Sequence, residues 1–239
     1  MADKPKGIVS QRLAFIKNCS YVVDTVDKYC EGGQVLGIDP GRGCTGFAYR
    51  ADKSIKTGAM IPKTYGFSKA IRIEQALKKL LDGRRPLIAL EGYAHNARFG
   101  REKAGELGGL IRKVLYHKKR PLVIIAPNTV KSWIKAGKKE NIMLEILDKY
   151  GVKITNQDAA DAFVMQEVAW NMWLMARAVV YSGIDNADGV RLYLKNMDYK
   201  DFHQDLDKLL RHQEQTLFRL INSQGPGIQF FLKTKPEEE

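Results

Sequence analysis

A short apolar run, Val35-Leu36-Gly37-Ile38, ends on Asp39, and the glycine-rich turn Pro40-Gly41-Arg42-Gly43 leads at once into a second strand-forming run, Thr45-Gly46-Phe47-Ala48-Tyr49. Extended segments joined this tightly lie side by side and antiparallel, so this stretch commits the chain to a sheet. It also places Asp39 at a strand end, fixed by backbone on both sides and able to face a cleft. Taken alone, an aspartate before Pro-Gly is as readily a turn residue.

A second acid closes a second strand. Pro86-Leu87-Ile88-Ala89-Leu90 is a continuous apolar run ending on Glu91, the pattern of a strand buried on both faces. Glutamate is a poor strand residue, and an unpaired one at a buried end is costly, which weakens the incidental reading of Glu91. Two more acids follow in Thr155-Asn156-Gln157-Asp158-Ala159-Ala160-Asp161-Ala162, which opens a long apolar helix running to about Tyr181. Asp158 and Asp161 are three apart and share a face of its first turn. Acids there complement the helix dipole and are common for that reason alone. Ala159, Ala160 and Ala162, however, have little bulk and let this turn lie close against strand ends, which brings both acids toward Asp39 and Glu91. Four carboxylates so gathered repel one another without cations, and oxygen-only ligands suit Mg²⁺ or Mn²⁺.

The rest of the pattern frames these positions. Residues 1–34 contain a helix-compatible spacing of Leu13, Ile16, Tyr21, Val22 and Val26 that ends near Gly32-Gly33. Three short strands follow at 35–39, 45–50 and 54–61, then a helix over 67–81 with an apolar stripe of Ala70, Ile73, Ala76, Leu77, Leu80 and Leu81. After the strand ending at Glu91 come a loop at 92–100 and a helix over about 102–118, in which Gly105, Gly108 and Gly109 suggest close approach of another backbone. A strand at 121–126, a helix from Pro127 to Gly137, and a helix over 139–150 stopped by Gly151 lead to the long helix. Beyond Ser182, a helix is expected over about 199–221, then a Gly225-Pro226-Gly227 turn and a frayed tail.

The charge balance points to a polyanion. There are 39 Lys and Arg against 27 Asp and Glu, a formal charge of +12. Between Arg98 and Lys139 there are twelve basic residues and only Glu102 and Glu106 on the acidic side, so nearly all of the excess lies there and its signs are not mixed as on an ordinary solvated face. Cys19, Cys30 and Cys44 have neither metal-ligand nor disulfide-framework spacing, which fits a reducing cytosol. No secretory leader is expected, and the apolar stretch 159–181 is interrupted by Gln166, Glu167, Asn171 and Arg177, so a buried helix is expected there and no membrane association.

With its acids on the first strand, the fourth strand and the last core helix, the chain has the order of a ribonuclease-H-like fold: α/β, a mixed five-stranded sheet with helices on both faces, and helical N- and C-terminal extensions. The units expected are 1–34, a nuclease domain over 35–182, and 183–239. In three blocks, Gly37-Ile38-Asp39-Pro40-Gly41 with Thr45-Gly46, Leu90-Glu91-Gly92-Tyr93, and Asp158-Ala159-Ala160-Asp161-Ala162, the sequence resembles the RuvC family of Holliday-junction resolvases, particularly phage-encoded members. The resemblance implies a crossover junction endonuclease that resolves branched DNA by paired symmetrical nicks, two Mg²⁺ (or Mn²⁺) ions held by Asp39, Glu91, Asp158 and Asp161, and a homodimer in the cytoplasm, a host's if the gene is a phage's. It implies lysines that bind the scissile phosphates: Lys131 looks like the first, and Lys138 or Lys139 like the second. The family's wedge aromatic would fall at Ala94, so Tyr93 and Phe99 are the nearest candidates here. Arg98, Arg101 and Lys135 complete the expected DNA-binding set. Three other readings compete: a related nuclease acting on flaps, forks or RNA–DNA hybrids, a junction-binding protein that does not cut, and an actin-like ATPase, in which an Asp-x-Gly turn approaches phosphate. The last needs a second phosphate-binding turn, and no duplicated motif appears.

Overall fold

A computed structural model of the chain describes residues 6–41, 43–51, 54–63, 67–92, 101–136, 141–182, 216–217 and 219–222. The elements run α1 (Lys6–Tyr29), β1 (Gln34–Pro40), β2 (Thr45–Ala51), β3 (Ser54–Met60), α2 (Phe67–Leu80), β4 (Leu87–Glu91), α3 (Arg101–His117), β5 (Leu122–Ile125), α4 (Pro127–Ile134), α5 (Ile142–Tyr150) and α6 (Gln157–Ser182). The strands form one sheet in the order β3-β2-β1-β4-β5. The first three are antiparallel, as their tight turns require, while β1, β4 and β5 run parallel through helical crossovers. This is the mixed five-stranded α/β sheet with helices on both faces expected from the order of the elements.

The two-residue period of β1 and β4 assigns each face its core. Leu36, Ile38, Ile88, Leu90 and Leu122 pack with Ile73, Leu77 and Leu81 of α2 and its end, and with Ile111, Val114 and Leu115 of α3. Val35, Leu87, Ala89, Val123 and Ile125 face the other way, toward α1, α4, α5 and α6. Both faces of the parallel strands are therefore covered, which explains their unbroken apolar runs.

The long helix α6 is buried nearly all round because it lies between the sheet and α1. Two strand glycines allow it to lie so close. A Cβ at Gly37 would come within 2.0 Å of the Ala162 carbonyl oxygen, and one at Gly46 within 2.0 Å of the Asp158 carbonyl oxygen. With Ala159, Ala160 and Ala162 on the facing helix, backbone meets backbone at the carboxyl edge of β1.

α1 and the helical residues 216–217 and 219–222 join this same core. Phe15, Cys19, Val22 and Val26 of α1 cluster with Leu217, Leu220 and Ile221, and Asn18 Nδ2 donates to Asn222 Oδ1 at 3.2 Å. Most of the helix expected over 199–221 lies outside the described residues; 216–217 and 219–222 are helical.

The structure differs from the sequence expectations at three helices. α4 stops at Ile134, where Lys135 takes a left-handed conformation (φ 57°) and caps the helix through its own N–H, so Gly137 is not the terminator. α5 begins at Ile142, and residues 137–140 lie outside the described residues. Its end is as expected, with Gly151 at φ 66° donating to Leu147. In α3, Gly109 has open space where a Cβ would sit, so among the described residues no backbone approaches it closely. Among the described residues, no helix is long and apolar enough to cross a membrane.

Candidate active site

Parallel pairing of Ile38 with Leu90 puts the next residues, Asp39 and Glu91, side by side at the carboxyl edge of the sheet. Both belong to the α6-facing register of their strands, with Val35 and Gly37 on β1 and Leu87 and Ala89 on β4. The first turn of α6 lies over this edge, held there by the bare backbone of Gly46. Asp39 is 5% exposed and Asp161 7%, while Glu91 and Asp158 are half-buried.

Burial, and then the charges of Glu91, Asp161 and Asp158, push the Asp39 carboxyl up from 3.8 to about 9, and a hydrogen bond with Glu91 adds to the shift. Carboxyls that hydrogen-bond each other need a proton between them, and burial puts it on Asp39. The charges that act on this buried acid are thus themselves acids, contributed by two strands and one helix. The structure brings Asp39, Glu91, Asp158 and Asp161 within electrostatic reach of one another.

The start of α6 is fixed by Asn156. Its Oδ1 accepts from the Ala159 N–H at 2.9 Å, an N-cap, while its backbone carbonyl takes the first helical bond from Ala160 at 3.0 Å. The Asn156 amide reaches Cys44 Sγ at 3.7 Å, and Cys44 Sγ in turn donates to Asp158 Oδ2. Burial, with the Asp158 contact next in weight, pushes the Cys44 thiol up to about 11, so it remains a donor at neutral pH. Gln157 Nε2 donates to Asp161 Oδ1 at 3.3 Å.

Among the described residues, no three His, Cys, Asp or Glu side chains already stand grouped as ligands for a metal ion. One oxygen of Asp158 is held by Cys44 and one of Asp161 by Gln157. The donor chemistry nevertheless fits a hard divalent cation: every candidate ligand is a carboxylate oxygen, and the proton on Asp39 is retained because neighbouring anions and burial disfavour its loss.

The expected DNA-contacting residues divide by where they fall. Lys131 and Lys135 are exposed, on α4 and just after it. α4 leaves the sheet just after β5, whose Ile125 pairs with Glu91, so Lys131 stands on a helix rising from the same edge. Arg101 is the first residue of α3. Tyr93, Arg98, Phe99, Lys138 and Lys139 lie outside the described residues.

No family model matches the sequence, and no curated protein is significantly similar to it. Among solved structures, the fold is similar to that of Thermus thermophilus RuvC in complex with a Holliday junction substrate, with 19% identity over 63% of this chain and 94% of that one and a TM-score of 0.46. A second Thermus thermophilus RuvC structure has 18% identity over 62% and 95% of the two chains, with a TM-score of 0.45.

Several residues that shape this region escape a local reading of the sequence. Lys69 of α2 donates from Nζ to the Gly43 carbonyl at 3.0 Å, tying the turn after β1 to a helix on the opposite face. Arg50 of β2 pairs with Glu167 of α6, each side chain 1% exposed, and the guanidinium lies over the Trp170 ring at 4.6 Å. Asn171 Nδ2 donates to the Glu167 carbonyl at 2.8 Å, and Gln166 Nε2 to Glu167 Oε1 at 3.3 Å. The Arg50–Glu167 pair fastens α6 to the sheet below the acids, and the two amides brace Glu167 from within the helix.

Proposed function

We propose that this chain is a divalent-metal-dependent, structure-selective endonuclease that cuts four-way and other branched DNA, leaving 5′-phosphate and 3′-hydroxyl ends. The single observation that supports it most is Asp39, buried at the end of the central strand with the charges of Glu91, Asp158 and Asp161 bearing on it. Such a group has little use as a structural fastener, because it lowers stability whenever Asp39 ionises. It suits a site meant for cations.

Asp39 and Glu91 from the sheet edge and Asp158 and Asp161 from α6 would supply the oxygens for two Mg²⁺ or Mn²⁺ ions. When bound, a pair of such ions activates a water and stabilises the leaving oxygen of a phosphodiester. The chain's own residues do the rest. The sheet edge holds two carboxylates by backbone, and Asn156 and Gly46 hold the turn of α6 that carries the other two. Lys131 and Lys138 stabilise charge that develops on the phosphate, while Arg98, Arg101, Lys135 and Lys139 grip the flanking backbone. Tyr93 and Phe99 lie in the loop that follows Glu91 in the sequence and can stack on unpaired bases. A homodimer would present two matching sites to two symmetry-related strands, one nick from each.

The test is cleavage of an immobile four-way junction with Mg²⁺, beside forks, flaps and RNA–DNA hybrids, with binding followed by gel shift in Ca²⁺. Paired nicks in the junction, lost in Asp39→Asn and Glu91→Gln while binding remains, are the expected result. Tight junction binding without cleavage under any divalent metal would overturn the nuclease reading, and preference for hybrids or flaps would overturn the junction specificity.

A further inference from the structure

We infer that Cys44 is a positioning residue for the acid cluster: its thiol orients the Asp158 carboxylate and so sets how tightly the cluster takes a divalent cation. The inference rests on the reading that these acids hold cations.

The direction of each hydrogen bond follows from the helix start. Asn156 spends its side-chain oxygen on the Ala159 N–H at 2.9 Å, which turns its NH₂ group toward Cys44 Sγ at 3.7 Å. The sulfur has two acceptors in reach, Asn156 Oδ1 at 3.9 Å and Asp158 Oδ2, and the closer, charged carboxylate takes its hydrogen. The chain Ala159 N–H, Asn156, Cys44, Asp158 thereby transmits the fixed backbone of α6 to a carboxylate that would otherwise rotate freely. The turn leaves room for this carboxylate, because a Cβ at Gly41 would lie 2.9 Å from Asp158 Oδ2. With one oxygen fixed by the thiol, the other is left for a cation. Partners that orient a ligand in this way typically change metal affinity by roughly 10- to 100-fold when removed.

A merely structural cysteine would fill space just before β2, where Cys44 is 8% exposed. The two roles separate by conservative substitution. Cys44→Ser keeps a donor in the same place, whereas Cys44→Ala and Cys44→Val remove it and differ from each other in bulk. Mn²⁺ binding to the full chain is read by electron paramagnetic resonance, with thermal melting of each metal-free variant alongside. The expected result is a dissociation constant raised roughly ten-fold in both Cys44→Ala and Cys44→Val, near-native binding in Cys44→Ser, and no correlation between affinity and melting temperature across the three. Unchanged or tighter Mn²⁺ binding in whichever of Cys44→Ala and Cys44→Val folds would overturn the inference while leaving the cation site intact. Equal weakening in all three, tracking loss of melting temperature, would also overturn it. A wild-type chain that binds no Mn²⁺ would overturn the cation reading itself.

Discussion

Two groups of charged side chains are buried along the same face of the sheet, both partly supplied by α6, and they are built on opposite plans. Near the middle of the helix, Glu167 meets Arg50 in the core, with the guanidinium resting on Trp170. At its first turn, Asp158 and Asp161 meet Asp39 and Glu91, and the charges that act on Asp39 are all of one sign. The first group is balanced within the chain and works as a fastener between β2 and α6. In the second, the charges that bear on Asp39 come from other acids, and burial keeps a proton there. The same helix thus contributes to one buried ion pair and to one gathering of acids.

Substitutions that exchange the two plans should separate them, and the largest effect is expected on activity. Asp39→Asn should lower junction cleavage by roughly a thousand-fold or more, on the scale of losing a principal electrostatic contact to the reacting group, while the metal-free protein melts no lower than wild type. Single-turnover cleavage and thermal melting check the two halves. Arg50→Met should do the reverse to stability: it leaves Glu167 buried without its cation, a loss of about 3–5 kcal/mol, most of which should return in Arg50→Met with Glu167→Leu. Urea denaturation of the two variants and of Glu167→Leu alone measures this.

A pH titration distinguishes the groups next. Below the ordinary value of 3.8, both folded and unfolded chains hold the Asp39 proton. From there to about 9 the folded chain keeps a proton that the unfolded chain has released. Stability of the metal-free protein should therefore fall as pH rises through that window and level off above it. Saturating Mn²⁺ should flatten the slope near neutrality, and Asp39→Asn should remove this contribution. Denaturation at a series of pH values in the presence of chelator tests the sign.

The smallest expected effects come from two glycines. Gly46→Ala would drive a Cβ into the Asp158 carbonyl and should destabilise by about 1–3 kcal/mol, as overpacking does. Gly109→Ala enters open space in the middle of α3 and should stabilise by up to about 1 kcal/mol. Thermal melts of the pair show whether close approach of α6 is specific to the acid edge.

Much of this was legible in the sequence because it is local. The apolar runs ending on Asp39 and Glu91, the tight turns between β1, β2 and β3, and the small residues opening α6 each carry their own periodicity or turn chemistry, and the antiparallel pairing of the first three strands follows from those turns. The side-chain pairings were not legible, because they join distant segments. Arg50 and Glu167 are 117 residues apart, Cys44 and Asp158 are 114 apart, and no window on the chain contains both partners. Arg50 reads as an ordinary strand-end charge, Glu167 as a polar break in an apolar helix, and Cys44 as one of three scattered thiols. At Gly109 a glycine inside a helix suggests a close neighbour, yet among the described residues of the chain nothing lies within 4 Å of where its Cβ would be.

The central claim is that the acids at the edge of β1 and β4 form a cation site in a way that the Arg50–Glu167 pair does not. Mn²⁺ binding at pH 7, counted by electron paramagnetic resonance on the wild-type chain, Asp39→Asn, and Glu167→Leu with Arg50→Met, tests it most directly. The account predicts two bound ions per wild-type chain, loss of binding in Asp39→Asn, and retained binding in the core variant. No Mn²⁺ bound by the folded wild-type chain, or binding undiminished in Asp39→Asn, would contradict it.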